Sequence, residues 1–402
     1  MLYDFYQAAA DVGDVFRSLA ANSERLFKAW PAGLSFGRQA AALCEAMTLA
    51  GFTHDRPPYD IDDVEIGGEK IPVLSDVAFS TPFCDLLRFR KAISVDEPKV
   101  LLVAPMSGHF ATLLRGTART LLRDHEVFLT DWINPREIPI GDGAFGLDDY
   151  TQHLIDFIKH MGPDTHIVAV CQPAVSALAA TTVMAQHMNN HQPKSLTLMA
   201  GPIDTRISPT KVNELAMQRP LKWFEENMIS LVPSRLKGGG RRVYPGFVQL
   251  TAFMSMNADR HAKSFVDMIK HRIEGRDDKA EAIHEFYKEY FAVMDLSADF
   301  YLETIAQVFQ EAALPLGKMK FKGERIDPRA IRKTFLLTVE GEKDDICAVG
   351  QTLAAQDLCG GLRPYMKTHH MQAGVGHYGV FNGKRWENQI YPVVRNHIHA
   401  SR

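Results

Sequence analysis

The stretch HIVAVCQPAVSALAA, residues 166–180, sets the architecture of this chain. Ile167, Val168, Ala169 and Val170 make a short apolar run rich in β-branched residues, the pattern of a buried parallel strand. Cys171, Gln172 and Pro173 follow with no room for a long loop, and residues 174–180 read as a buried helix. Strand, one reactive side chain and helix, joined by a tight turn, is the layout of a nucleophile elbow. The usual box is G-x-S-x-G. Here Ala169, Val170, Cys171, Gln172 and Pro173 fill its five places, so cysteine stands for serine and neither flanking glycine is present.

That layout carries a chemical expectation. The turn sets the sulfur near a helix N-terminus, whose positive dipole end favours the nucleophilic thiolate. The Gln172 N–H is one candidate oxyanion donor. Pro173 has no N–H, which costs nothing in a first helical turn. A residue before proline is biased away from helical backbone, so Gln172 is expected to sit differently from its counterpart in a glycine-flanked elbow. The competing reading of Cys171 is a buried cysteine that only packs.

Working outward, residues 100–104 (VLLVA) read as a strand, 105–109 (PMSGH) as a loop and 111–122 as a helix. Residues 126–130 and 195–200 read as further strands, with a helix over 148–161. This alternation predicts a doubly wound, mostly parallel sheet. It stops after residue 204 and resumes at 335–339 (FLLTV), and the helical pattern between is rich in Met, Phe and Tyr. An inserted helical cap accounts for it, because the sheet needs its last strand. The expected division is an N-terminal helical arm over 1–60, a first core part over 61–204, the cap over 205–329 and a second core part over 330–402. In the arm, Phe5, Ala8, Val12, Phe16 and Leu19 share one helical face, as do Ala40, Leu43 and Met47, and these faces are expected to pack on the main domain. Residues 64–73 (VEIGGEKIPV) read as a hairpin. Gly238, Gly239 and Gly240 are expected to form a flexible lid segment.

The totals narrow the function. The formal charge of −3 over 402 residues offers no electrostatic case for nucleic acid. The five cysteines (Cys44, Cys84, Cys171, Cys347, Cys359) lack any C-x-x-C spacing, which points to free thiols in a reducing compartment rather than a disulfide framework or a zinc site. The N-terminal residues carry acids and lack the charge pattern of a secretory signal. No apolar run is long enough to span a bilayer. The expectation is a cytoplasmic protein with no metal and no cofactor.

A cysteine nucleophile needs a base, and the base needs an orienter. In α/β-hydrolases the chain order is nucleophile, acid, histidine. The loop after 335–339 holds Gly341, Glu342, Lys343, Asp344, Asp345 and Ile346, and Asp344 fits a G-x-x-D-x-[IV] pattern; Asp345 and Asp204 are the alternatives. His377 lies among Gly374, Gly376 and Gly379, ahead of a helix expected over 384–397. His109 sits near the expected oxyanion loop and is a candidate to line the site. His166, His369 and His370 fall at no expected catalytic place. A second oxyanion donor is expected from Met106 or Ser107.

The segments DWINP (131–135), LDDYTQHLIDFI (147–158), VAVCQPAVSALAA (168–180), YPGFVQLTAFMSMN (244–257), VEGEKDDI (339–346) and GVGHYGVFNGKRW (374–386) resemble the intracellular polyhydroxyalkanoate (polyhydroxybutyrate) depolymerases of bacteria. The resemblance runs in order over most of the chain. It implies an α/β-hydrolase fold, degradation of a storage polyester in cytoplasmic granules, and a catalytic set of Cys171, Asp344 and His377. The polyester granule is then the expected partner, and self-association as a homo-oligomer stays open. Polyester synthases are the nearest relatives in kind. They keep a glycine-flanked G-x-C-x-G box and tend to carry tryptophan soon after the acid loop, whereas here Ala169 and Pro173 flank the cysteine and Cys347, Ala348 and Val349 follow the loop. A synthase-like acyltransferase and a non-catalytic granule-binding protein remain the alternatives.

Overall fold

The computed structural model describes residues 2–29, 35–256 and 258–401. Two helices, α1 (Leu2–Lys28) and α2 (Ser35–Leu49), precede the sheet. The hairpin β1 (Asp63–Ile66) and β2 (Glu69–Ser80) is followed by β3 (Cys84–Lys91), and these strands run antiparallel to their neighbours. Then come β4 (Lys99–Val103), α3 (Arg115–Leu121), β5 (Glu126–Trp132), α4 (Leu147–Met161), β6 (Thr165–Val170), α5 (Pro173–Gln186) and β7 (Ser195–Met199). The sheet closes with β13 (Phe335–Gly341) and β14 (Lys367–Gln372), with α12 (Ala354–Leu358) between them and α13 (Gly383–Arg385) and α14 (Tyr391–Ala400) after them. Among the described residues the sheet has nine strands in the order β1-β2-β3-β5-β4-β6-β7-β13-β14, with β5 through β14 in that order mutually parallel. The chain thus has an α/β-hydrolase fold, a mostly parallel sheet flanked by helices.

The centre of the sheet explains itself from composition. Every residue of β6 is buried, and all of α5 except Gln186 is buried too. A helix apolar all round belongs inside, between sheet and outer helices. Small side chains let it come close. A Cβ on Gly201, after β7, would lie 2.1 Å from the Ala174 Cβ, so only glycine fits there. The order reverses at β4, which lies between β5 and β6, so the carboxyl ends of β4, β6, β13 and β14 face one crevice.

The insertion between β7 and β13 is mainly helical: α6 (Lys211–Gln218), α7 (Leu221–Met228), α8 (Gly246–Met256), α9 (Ala258–Ile273), α10 (Asp277–Tyr290) and α11 (Ala298–Glu303), the last running into a π-helical turn over Thr304–Gln310. It also contains a small sheet of β8 (Ser230–Leu231), β9 (Arg242–Tyr244) and β10 (Leu296–Ser297) and a hairpin of β11 (Lys320–Phe321) and β12 (Glu324–Arg325), which the helical expectation did not include.

Two expectations are corrected here. The predicted packing face of the arm points to solvent: Phe5 is 76% exposed and Phe16 64%, and Val12, Leu19, Leu43 and Met47 are exposed with them. The docked face of α1 is the one bearing Tyr3, Tyr6, Gln7 and Ala20. Tyr6 stacks on Phe247 with ring centroids 3.6 Å apart, and the Tyr3 hydroxyl donates to Asp295 Oδ2 at 2.6 Å. That face wins because its rings bring hydroxyls that match buried acceptors, and the face of Phe5, Val12, Phe16 and Leu19 has no hydroxyl to offer. Helix α2 docks through Ala41, Ala42, Ala46 and Leu49, with Glu45 gripped by Arg272 at 2.7 and 2.8 Å. The triple glycine is no flexible lid either. Gly238 donates to the Arg136 carbonyl at 2.8 Å, and a Cβ there would sit 2.5 Å from the Pro135 oxygen. Gly238 and Gly239 serve close backbone approach and Gly240 a left-handed backbone with φ of +86°, not freedom.

Candidate active site

Four loops at the carboxyl ends of the strands build the site. Cys171 follows β6 directly and has φ of +66°, a left-handed backbone rare for a non-glycine residue. It is held there from both sides: its N–H donates to the Met199 carbonyl at 2.8 Å, and its carbonyl accepts from Ala174 N at 3.0 Å. Gln172 adopts right-handed helical backbone (φ −47°, ψ −42°) despite preceding a proline. The bonds around the elbow outweigh the local bias, and the turn matches the strained strand-to-helix geometry that exposes a nucleophile.

Asp344 follows β13. Its Oδ1 accepts from the backbone N–H groups of Ile346 (2.9 Å) and Cys347 (2.8 Å), and its Oδ2 lies 2.8 Å from His377 Nδ1. The strand's own acid, Glu340, is fully buried and accepts from the N–H groups of Gly350, Thr352 and Leu353, which pins the far side of the same loop. His377 begins a short helical turn after β14. The two loops are joined backbone to backbone, Lys343 N donating to the Val375 carbonyl at 2.8 Å. A Cβ on Gly341 would come within 2.9 Å of that same oxygen, so the junction requires glycine.

The His377 ring hydrogen-bonds to Asp344 through Nδ1, and the neighbouring Cys171 acts on it electrostatically. Burial alone would depress its proton affinity. The charges of Cys171 and Asp344 and the hydrogen bond to Asp344 outweigh that burial and hold the imidazole pKa well above its ordinary value. The site therefore brings thiol, imidazole and carboxylate together in the order Cys171, His377, Asp344, with imidazole and carboxylate hydrogen-bonded.

A cavity of about 210 Å³ opens at Cys171, and Met106, Ser107 and Gln172 line it. Its other walls are mostly apolar and come mainly from the insertion, chiefly Phe224, Tyr244, Phe253, Phe300, Tyr301 and Phe309, with Lys211, Gln249 and Thr304 among them. Both polar atoms of the Gln172 side chain are buried without a partner in the protein. Cys347 lines the cavity too and was not singled out from the sequence, where nothing distinguishes a packing cysteine from one facing a site.

The other candidates lie elsewhere. Asp345 is exposed, and Asp204 pairs with Arg206 at 2.7 Å. His109 does not line the Cys171 cavity: it is buried against Tyr290, ring centroids 5.1 Å apart, and burial holds its pKa down to about 4. His166 faces Ser195 Oγ at 2.9 Å, His369 faces Thr338 Oγ1 at 3.0 Å, and His370 faces Gln372 Oε1 at 3.1 Å. Among the described residues, no group of three or more His, Cys, Asp or Glu side chains is placed to hold a metal ion. None of the described helices is long and apolar enough to cross a membrane.

A thiol at a left-handed strand-to-helix turn, backed by histidine and aspartate at the ends of a parallel sheet, defines an α/β-hydrolase of the ester-cleaving class. The chain belongs to the family described as PHB de-polymerase C-terminus, which matches residues 200–402, half of its length. The match includes Asp344 and His377 and begins after Cys171. No curated protein matches the chain in sequence. Among solved structures, a thermophilic esterase from Thermogutta terrifontis is 12% identical, covering 85% of this chain and 97% of its own, with a TM-score of 0.43. A 2-hydroxy-6-oxo-6-phenylhexa-2,4-dienoate hydrolase from a Rhodococcus species is 13% identical, covering 82% and 99%, also with a TM-score of 0.43. Likeness at that distance says nothing of substrate.

Proposed function

We propose that this protein is a depolymerase of poly(3-hydroxybutyrate), with Cys171 as nucleophile, His377 as its proton partner and Asp344 as the orienter of His377. The observation that carries this reading is the row Cys171–His377–Asp344 opening on an apolar cavity, in a chain of the PHB depolymerase family.

The Cys171 thiol gives its proton to the His377 imidazole as it becomes the nucleophile. The sulfur attacks an ester carbonyl of the polymer, and the negative charge moves to the carbonyl oxygen. The Gln172 N–H and a second N–H from Met106 or Ser107 bond that oxyanion. The carbon–oxygen bond breaks, the leaving alkoxide takes the proton from His377, and an acyl-thioester remains on Cys171. Neutral His377 then accepts a proton from water as that water attacks the thioester, which releases the acid and restores the pair. Asp344 keeps the imidazole in one tautomer and stabilises it when charged. No step requires a metal or a cofactor.

An insoluble polyester must be met at its surface. The exposed row Phe5, Val12, Phe16 and Leu19 on α1, with Leu43 and Met47 on α2, supports attachment to an apolar polymer granule in the cytoplasm. The test is incubation with amorphous poly(3-hydroxybutyrate) granules and chemical identification of the products. Soluble 3-hydroxybutyrate or its short oligomers support the reading. Granule binding without soluble acid would favour a non-catalytic binder, and polymer growth from an acyl thioester would favour a synthase.

A further inference from the structure

A second cavity, of about 710 Å³, lies on the other side of the row. Cys171 lines the first cavity and His377 lines the second, while Phe253 and Ile346 border both. The sulfur–imidazole contact therefore stands at the boundary between two chambers of different character. The first is mostly apolar, with Lys211, Gln249 and Thr304 its polar lining beyond the catalytic loops. The second carries Arg260, His261, Ser264, Lys343 and Asp345 among aromatic side chains.

The charges in this second chamber do not cancel within the protein. Among the described residues, neither the Arg260 guanidinium nor the Lys343 ammonium has an ion-pair partner. Asp345 opposes them, so the facing groups are two cations and one anion. His261 adds no charge at neutral pH, because burial and the neighbouring Arg260 hold its proton affinity down, and its Nδ1 lies 2.9 Å from the Tyr287 hydroxyl.

A polyester of hydroxy acids has a direction, and the site has one too. Attack by Cys171 keeps the hydroxyl-terminal side of the cut bond as the acyl group, in the apolar chamber. The oxygen that leaves takes its proton from His377, so the leaving segment extends into the chamber that His377 lines. That segment is the one that ends in the chain's free carboxylate. We propose that the second chamber is the leaving-chain subsite and that Arg260 and Lys343 receive this terminal carboxylate, so that the enzyme favours cuts within a few units of the carboxyl end. The proposal rests on the depolymerase reading above.

The test compares a linear 3-hydroxybutyrate trimer as free acid with the same trimer as its methyl ester. The two backbone ester bonds are the same in both; the methyl ester adds a third at its terminus, so only products of backbone cleavage are counted, and for those bonds the terminal charge is the main difference. The quantity read is the ratio of kcat/KM for acid over methyl ester. Two partly exposed charge contacts give a ratio of about three- to tenfold at low salt, falling as salt is added. Arg260→Gln and Lys343→Gln each lower the ratio, and together they bring it near unity. Asp345→Asn raises it, an opposite change that loss of folding cannot mimic. A wild-type ratio of one or less, or a ratio that none of these variants moves, overturns the subsite while leaving the depolymerase reading in place. Failure of the wild type to cleave either trimer or granules overturns the depolymerase reading and the subsite with it.

Discussion

Replacing Asp344 by Asn separates the orienting role of this residue from its structural one. The Asn carbonyl can still accept from the N–H groups of Ile346 and Cys347, now at 2.9 and 2.8 Å from Oδ1, so the loop keeps its bonds. What changes is the atom facing His377 Nδ1 at 2.8 Å: an acceptor becomes an NH₂ donor. The imidazole must then present a lone pair at Nδ1 and carry its hydrogen toward the sulfur, which is the wrong tautomer to take the thiol's proton. The same change in a serine triad costs about four orders of magnitude in kcat. A thiol ionises more readily than a hydroxyl, so the expected loss is smaller, about a hundred- to a thousandfold. Stability should change little, whereas Asp344→Ala strips both N–H groups of their acceptor and costs about 1–3 kcal/mol for each buried orphan. The assay is turnover of a soluble ester by Asp344→Asn and, as control, by Asp345→Asn, whose side chain is exposed. Circular dichroism and urea melts confirm folding. Near-normal turnover by Asp344→Asn, or a crippled Asp345→Asn, would refute the assignment.

Other expectations are equally concrete. Cys171→Ala should lower the His377 pKa, since burial and Asp344 remain while the raising contribution of Cys171 is lost; NMR titration of the ring protons reads this, and an unchanged value would deny the contact. Because the folded pKa of His377 lies above its unfolded value of about 6.5, its contribution to stability is full below that value and is lost as pH rises through the folded pKa. Turnover should fall over the same alkaline range as the imidazole loses the proton it gives to the leaving oxygen. A pH profile that stays flat on the alkaline side would count against this. Gly238→Ala should destabilise the protein by about 1–3 kcal/mol in urea unfolding, since the new Cβ would lie 2.5 Å from the Pro135 oxygen. A neutral result would return this segment to the status of a free loop. Val12→Ser with Phe16→Ser should leave stability within about 0.5 kcal/mol per site, yet weaken granule binding and slow attack on granules more than on a soluble ester. Equal effects on both substrates would detach this surface from granule contact.

Much of the fold can be read from residues because the central strands and α5 are buried on all sides, and such segments must be nearly pure apolar runs. The elbow was legible despite its missing glycines because strand, cysteine and helix are contiguous in the chain. Asp344 and His377 are 33 residues apart, and only the order of strands and loops relates them before the structure sets them 2.8 Å apart. The arm's docking face was misread because α1 carries apolar residues on two faces. Periodicity cannot rank a purely apolar face against one whose tyrosines find buried partners such as Asp295. Gly238 to Gly240 were misread because glycine serves mobility and tight approach alike, and only the oxygen of Pro135 distinguishes the two. The short strands β8, β9 and β10 span two or three residues each, too few for any pattern to form. The second cavity was invisible because α9 and the acid loop contribute to it from positions about eighty residues apart.

The decisive measurement is release of soluble 3-hydroxybutyrate from amorphous granules by the wild-type protein and by Cys171→Ala, side by side, with intact-protein mass spectrometry of the wild type during turnover. The mechanism predicts acid release by the wild type, a loss of several orders of magnitude in the Ala variant, and a transient 3-hydroxybutyryl adduct mapping to Cys171. Comparable release by the Cys171→Ala protein, or an adduct on any other residue, would contradict it.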